Sequence, residues 1–92
     1  MEDKRIYMDE LQALRKKIDE IDQCIVGLLA ERFAAAKQVG DYKKARGLEI
    51  MQQSREAEVI KNITDKTADD EHSMYILEIY ETILKTSKKA QN

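Results

Sequence analysis

The sequence predicts an all-α fold of three helices, long, short and long, and three observations predict it. Between Met8 and Lys44 the apolar residues Leu11, Leu14, Ile18, Ile21, Ile25 and Leu28 are spaced alternately by three and four, the pattern of a coiled-coil seam. The 92 residues include no Pro or Trp, only three Gly and 37% charged residues, which suits long helices with solvated outer faces and leaves little material for tight hairpins. A chain this short buries a small share of its surface alone, so one domain over residues 1–92 and association with a partner are expected.

In chain order, Glu2 to Tyr7 reads as a charged lead-in, and Asp9 or a neighbour supplies negative charge at the positive end of the first helix. That helix runs to about Lys44, roughly 55 Å at the usual rise per residue, and needs a partner along its length. Gly27 and Gly40 lie inside it, each costing up to about 1 kcal/mol relative to Ala. Gly40, with Ala34, Ala35 and Ala36 nearby, permits close approach of another backbone, and a merely tolerated glycine accounts for it equally well. Ala45 to Gln53 contains Gly47 and breaks the heptad frame, so a loop is expected there, with Leu48 and Ile50 anchored inward. Ser54 then reads as the N-cap of a second helix through about Thr64, with Glu56 and Glu58 complementing its dipole and Val59, Ile60 and Ile63 on its apolar face. Lys66 to Glu71 is a polar connection in which Asp69 or Asp70 caps a third helix to about Ala90. Met74, Leu77, Tyr80 and Leu84 form its stripe, widened by Ile76, Ile79 and Ile83, and the same steps lead on to Ser87 and Gln91.

The formal net charge is −2, with acidic and basic residues mixed along the chain, so there is no electrostatic footprint for nucleic acid or an anionic membrane. Met1 to Tyr7 has no apolar core of signal-peptide length and no run approaches the roughly 18–20 apolar residues that span a bilayer, so a cytoplasmic protein is expected. A single cysteine, Cys24, cannot form an intrachain disulfide, and the single histidine, His72, cannot build a metal site with it at that separation.

The polar residues on the buried stripes carry the chemistry. Carried forward, the seam of the first helix reaches Arg32, then Ala35, Val39 and Tyr42, with Lys43 one residue off the line. A seam cation needs an anionic partner, a ligand or a route to water. An interhelical salt bridge or register control explains Arg32 alone, but Lys43 follows eleven residues later, close to three full turns, on the same face. If the second helix folds back, Arg55 joins these two cations and Glu56 supplies a carboxylate; Ser87 and Gln91 reach the same cavity if the third helix packs antiparallel to the first. This cation-rich set has no nucleophile–base pair and suits a small dianion better than it suits hydrolysis. Arg15 lies seventeen residues before Arg32, about 25 Å along the axis and about 100° around it, so the two meet one ligand only if a second copy of the helix runs antiparallel. Arg15 is otherwise a surface residue.

Leu14-Arg15-Lys16-Lys17-Ile18-Asp19-Glu20-Ile21-Asp22, Leu28-Leu29-Ala30-Glu31-Arg32, Val39-Gly40-Asp41-Tyr42-Lys43, Ser54-Arg55-Glu56 and Ser87-Lys88-Lys89-Ala90-Gln91, in this order and spacing, resemble the all-helical chorismate mutases of the AroQ class. The resemblance implies an intertwined homodimer of three-helix protomers whose two sites each borrow Arg15 from the other chain. It implies chorismate as substrate and an intramolecular Claisen rearrangement to prephenate. Arg32 and the borrowed Arg15 would take the substrate carboxylates, Lys43 with Gln91 the ether oxygen of the breaking bond, and Glu56 the ring hydroxyl, while Arg55 and Ser87 support the ring-carboxylate end. Such a rearrangement needs no nucleophile, metal or cofactor; it needs a compact conformer held in place and charge where the C–O bond becomes polar. Lys43 would act as a fixed positive donor rather than a general acid.

In one position the chain departs from the family: the residue three before Arg55, commonly Asp, is Gln52, at the hydroxyl end of the implied site. Isochorismate pyruvate lyase shares the scaffold and is the alternative enzyme, and a catalytically silent helical dimer is the alternative outside enzymes. Gln91 is penultimate, where helices fray, so its contact is expected to form with ligand bound.

Overall fold

The computed structural model describes residues 4–49 and 53–92, and every regular element among them is a helix. Helix α1 spans Lys4–Ala45, α2 Gln53–Lys66 and α3 Ser73–Gln91. The chain packs as two units, residues 1–32 and residues 33–92.

The first unit is helical from Lys4, four residues before the expected start. Tyr7 stands one four-residue step before Leu11, so the seam runs back into the charged lead-in, where no Pro interrupts it. Asp9 therefore falls beyond the first described turn, and the acidic neighbours Glu2 and Asp3 lie outside the described residues. The seam lies open: the exposures of its six residues run from 39% at Leu11 to 65% at Leu28. Cys24 is a free, exposed thiol.

In the second unit α1 closes through Gly47, whose φ of +66° is a left-handed conformation that side chains disfavour. The Leu48 N–H donates to the Lys43 carbonyl at 2.9 Å and the Gly47 N–H to the Lys44 carbonyl at 3.3 Å, the paired bonds that satisfy the last carbonyls of a helix. Arg46 then folds back with its guanidinium carbon 3.6 Å from the centre of the Tyr42 ring. Leu48, expected to anchor inward, remains 48% exposed, because the tight cap leaves it at the rim of a groove; Ile50 lies outside the described residues.

Helix α2 begins at Gln53, so Ser54 sits within the first turn rather than at the cap. Its apolar face, Val59, Ile60 and Ile63, is half-buried, and α2 packs against α3. The Thr67 hydroxyl joins the two helices, donating to the Ile63 carbonyl at 2.8 Å and lying 3.0 Å from the Ser73 hydroxyl. Asp70 caps the intervening turn instead of the helix: its carboxylate accepts the His72 N–H at 2.7 Å, and His72, without a side-chain capping bond, precedes α3. Along α3 the residues Ile76, Leu77, Tyr80, Ile83 and Leu84 are half-buried as the stripe requires. Met74 and Ile79, expected on the same face, are exposed. Both flank the sector that α2 covers, since one short helix shields only a narrow part of α3.

Among the described residues those that are buried are small: Ala36 and Gly40 on α1 and Ser87 on α3. A Cβ added at Gly40 would lie 2.6 Å from the Gln91 Cα and 2.7 Å from its carbonyl carbon, and would overlap the Gln91 carbonyl oxygen. Of the two readings of Gly40, close approach is the one the structure supports. The Lys44 ammonium donates to the Asn92 carbonyl at 2.6 Å, so the C-terminal turn of α3 is seated on the end of α1. No helix among the described residues is long and apolar enough to cross a membrane.

Two outcomes follow from this packing. In an unobstructed helix Gly→Ala is worth about 1 kcal/mol of stabilisation. Gly40→Ala should instead cost about 1–3 kcal/mol in urea unfolding, because its methyl group displaces α3; a more stable variant would show that the close approach is not kept in solution. At Asp70 the backbone N–H of His72, followed by bonding to the imidazole, holds the carboxyl below its ordinary value of 3.8. Its stabilising effect is therefore complete above that value and disappears as pH falls through the lowered one. Asp70→Asn should lower the thermal midpoint at pH 7, with the gap to wild type closing in acid; a gap independent of pH would refute the assignment.

Candidate functional site

The chemistry-bearing residues of the second unit converge where α3 ends against α1. Lys43 belongs to the last full turn of α1, and its carbonyl is the acceptor of the Gly47 cap, so the cap that closes the helix also fixes its backbone. Its half-buried ammonium donates to Gln91 Oε1 at 3.3 Å. Since the amide oxygen takes that bond, the Gln91 NH2 group remains a donor, and an ammonium and an amide donor stand at one point. The sequence argument expected Gln91 to fray, yet it is tied within the chain by Lys43, by its backbone seat on Gly40 and by the Lys44 bond to Asn92.

Ser87 lies one turn before Gln91 and is 5% exposed. Its hydroxyl donates to the Ile83 carbonyl at 2.6 Å, the back-bond typical of serine inside a helix. Glu56, half-buried in the first turn of α2, pairs with Lys88 at 2.6 Å across the α2–α3 hairpin. Lys88 is the site residue that sequence reasoning missed. Its position, three residues before Gln91 and one after Ser87, puts it near that end of α3, but spacing alone does not separate it from Lys89.

Arg55 has a partner on its own helix. Its guanidinium donates to Glu58 at 2.9 Å along its own helix, and both side chains are more than half exposed. The i,i+3 spacing provides this local partner. Beside Lys43 an open groove is lined by Ala35, Gln38, Val39, Tyr42 and Leu48. Arg15, exposed, and Arg32, half-buried, are on the first unit, and Gln52 lies outside the described residues. Among the described residues no three of His, Cys, Asp and Glu come together as metal ligands.

The arrangement therefore offers a cationic donor and a neutral donor side by side, a carboxylate braced by an ammonium, and a buried hydroxyl. It can bind and polarise an oxygen-rich anion. Neither the lone thiol, which is on the first unit, nor the imidazole, which is in the turn before α3, belongs to it.

The sequence profile of chorismate mutase type II matches residues 14–92. The bifunctional chorismate mutase/prephenate dehydratase of Aquifex aeolicus is 45% identical over 56 residues, which are 61% of this chain and 16% of that protein. The chorismate mutase of Methanocaldococcus jannaschii is 41% identical over 56 residues, 61% of this chain and 57% of that protein. The chain thus spans less than two thirds of the length of either relative. Among solved structures, a conserved hypothetical protein from Pyrococcus furiosus matches with a TM-score of 0.74 at 36% identity, over 90% of this chain and 96% of that one. With a profile match that takes in all three helices, the chain belongs to the type II chorismate mutase family.

Proposed function

We propose that the protein is a chorismate mutase, converting chorismate to prephenate by intramolecular Claisen rearrangement, and that it acts as a homodimer of intertwined three-helix protomers. The observation that carries this reading is the Lys43–Gln91 pair. In the rearrangement the ether C–O bond breaks while a C–C bond forms within the same molecule, and no proton is transferred. As the C–O bond stretches, negative charge grows on the ether oxygen. The Lys43 ammonium and the Gln91 amide NH2 are the two donors for that charge, with Lys43 serving as a fixed positive donor and not as an acid.

Glu56 accepts the ring hydroxyl, with Gln52 at the same end, while Arg55 and Ser87 support the ring carboxylate. Arg32 and Arg15 from a second copy neutralise the substrate carboxylates. The open seam of the first unit supports the dimer: burying its Leu and Ile side chains is worth roughly 1.5–3 kcal/mol each, and none of them is buried within one chain. The separation of Arg15 from Arg32, about 25 Å along one helix, supports the sharing of Arg15 between chains. The rate then comes from holding the compact conformer and from charge already in position.

Purified protein mixed with chorismate should consume it above the spontaneous rate and yield prephenate; no acceleration refutes the reading. Pyruvate release from isochorismate, without prephenate from chorismate, would shift it to the lyase that shares the scaffold. Lys43→Ala and Arg32→Ala should each lower kcat/KM by about 10²-fold or more with the helical circular dichroism retained, and full activity in either would remove that residue from the mechanism. Specific activity should fall on dilution through the range in which sedimentation shows the dimer dissociating; constant activity in the monomer would exclude a shared Arg15.

A further inference from the structure

We infer that Lys88 is a positioning residue for Glu56, setting which carboxylate oxygen is offered to the ring hydroxyl of the substrate. The inference rests on the mutase reading above and extends it by a residue on α3 to which no role has been given.

The Lys88–Glu56 contact differs from three other lysine or arginine contacts with carboxylates among the described residues. Lys37–Asp41, Arg55–Glu58 and Lys61–Asp65 each join residues three or four apart on one helix, with both side chains at least 60% exposed. Such pairs fix little beyond their own turn. Lys88 and Glu56 come from different helices, are about one third exposed at 34% and 31%, and meet at 2.6 Å. Less water screens them, and the contact joins the first turn of α2 to the last turns of α3.

The geometry gives the contact a use. The ammonium engages Oε1 of Glu56, and in the proposed role the second oxygen, Oε2, goes to the hydroxyl. Without the ammonium, a glutamate at the start of a helix turns among several rotamers, and either oxygen can face the ligand. With it, the carboxylate plane is set before the ligand arrives, as a supporting shell requires. Lys88 also lies three residues before Gln91, so one face of α3 carries both the residue that meets Lys43 and the residue that braces Glu56. The two ends of the substrate are thereby referred to a single helix. Lys89, the adjacent cation, is exposed and lies about 100° further around α3.

A simple helix-to-helix clamp would also place Lys88 against Glu56, and the two roles separate in ligand discrimination. The test uses two bicyclic di-acid mimics of the transition state, one bearing the hydroxyl and one with hydrogen in its place, with Kd measured by calorimetry on the full chain. Losing a positive charge weakens both mimics, so the ratio of the two Kd values isolates the hydroxyl contact. In wild type the hydroxyl mimic should bind at least about tenfold tighter. Lys88→Met should shrink that preference to within about twofold, and Lys88→Arg should restore most of it. In a Glu56→Gln background, Lys88→Met should change the ratio less than about twofold, because the two residues act as one unit.

An unchanged ratio in Lys88→Met overturns the inference and leaves a clamp, as does a full additional loss in the Glu56→Gln background. If circular dichroism shows Lys88→Met to be unfolded, Lys88→Gln provides the same ratio under the same criteria. Wild-type protein that neither binds either mimic nor converts chorismate overturns the mutase reading and this inference together. Wild-type turnover with an unchanged ratio overturns only the role of Lys88.

Discussion

The arrangement depends on a missing side chain. Gly40 lets the backbone of Gln91 lie directly on α1, where any Cβ would collide with it. What this contact fixes is the register between the end of α3 and the end of α1. Lys43 is three residues beyond Gly40 on α1 and Ser87 is four before Gln91 on α3, so one close approach determines where an ammonium, an amide and a hydroxyl stand. The buried residues at this contact level, Ala36, Gly40 and Ser87, are small because backbone-to-backbone proximity leaves no room for larger ones. Where α3 meets α1, a near approach of backbones takes the place of interlocking large side chains. The site is a consequence of that approach.

Energetically the choice is unusual for a folded chain. Among the described residues no large side chain is fully buried, and the longest apolar stripe, on α1, is open along its first unit. A chain of this length has little interior to spare, and its apolar area is placed where a second surface can cover it. Surface pairs such as Lys61–Asp65 add at most a few tenths of a kcal/mol each and cannot replace that missing interior. In the proposed dimer, folding and association are therefore one process, and the dimer supplies both stability and the missing arginine.

Much of this was legible in the sequence, for identifiable reasons. Three-and-four spacing gave α1 and its seam because helical periodicity is local, and it placed Lys43, Ser87 and Gln91 on inward stripes for the same reason. Boundaries were less legible. The start at Lys4 was hidden by the charges of the lead-in, although Tyr7 continued the seam, and Asp70 proved to cap a turn because a carboxylate in a short connection has several backbone N–H groups within reach. Rotational phase was the least legible feature. Whether Arg55 or Glu56 faces α3, and whether Lys88 or Lys89 faces α2, depends on how one helix is turned about its axis against another. Spacing within a helix does not encode that angle. Thus Arg55, expected in the cluster, pairs with Glu58, and Lys88, not expected there, pairs with Glu56.

The seating of α3 bears on how a site this small can act. The last residue of a helix tends to fray, and a mobile Gln91 would have to be ordered by the substrate at the cost of binding energy. Here its backbone rests on Gly40, its amide oxygen accepts from Lys43, and the carbonyl after it accepts from Lys44. The two lysines place positive charge at the negative end of the α3 dipole, so the groups that orient Gln91 also stabilise the turn that carries it. For the proposed rearrangement this matters more than the strength of any single bond. With no proton to move and no bond to the protein to form, the barrier responds only to charge and shape already in position. A donor that had to be assembled during the reaction would return part of what it contributes, and one held by the fold does not.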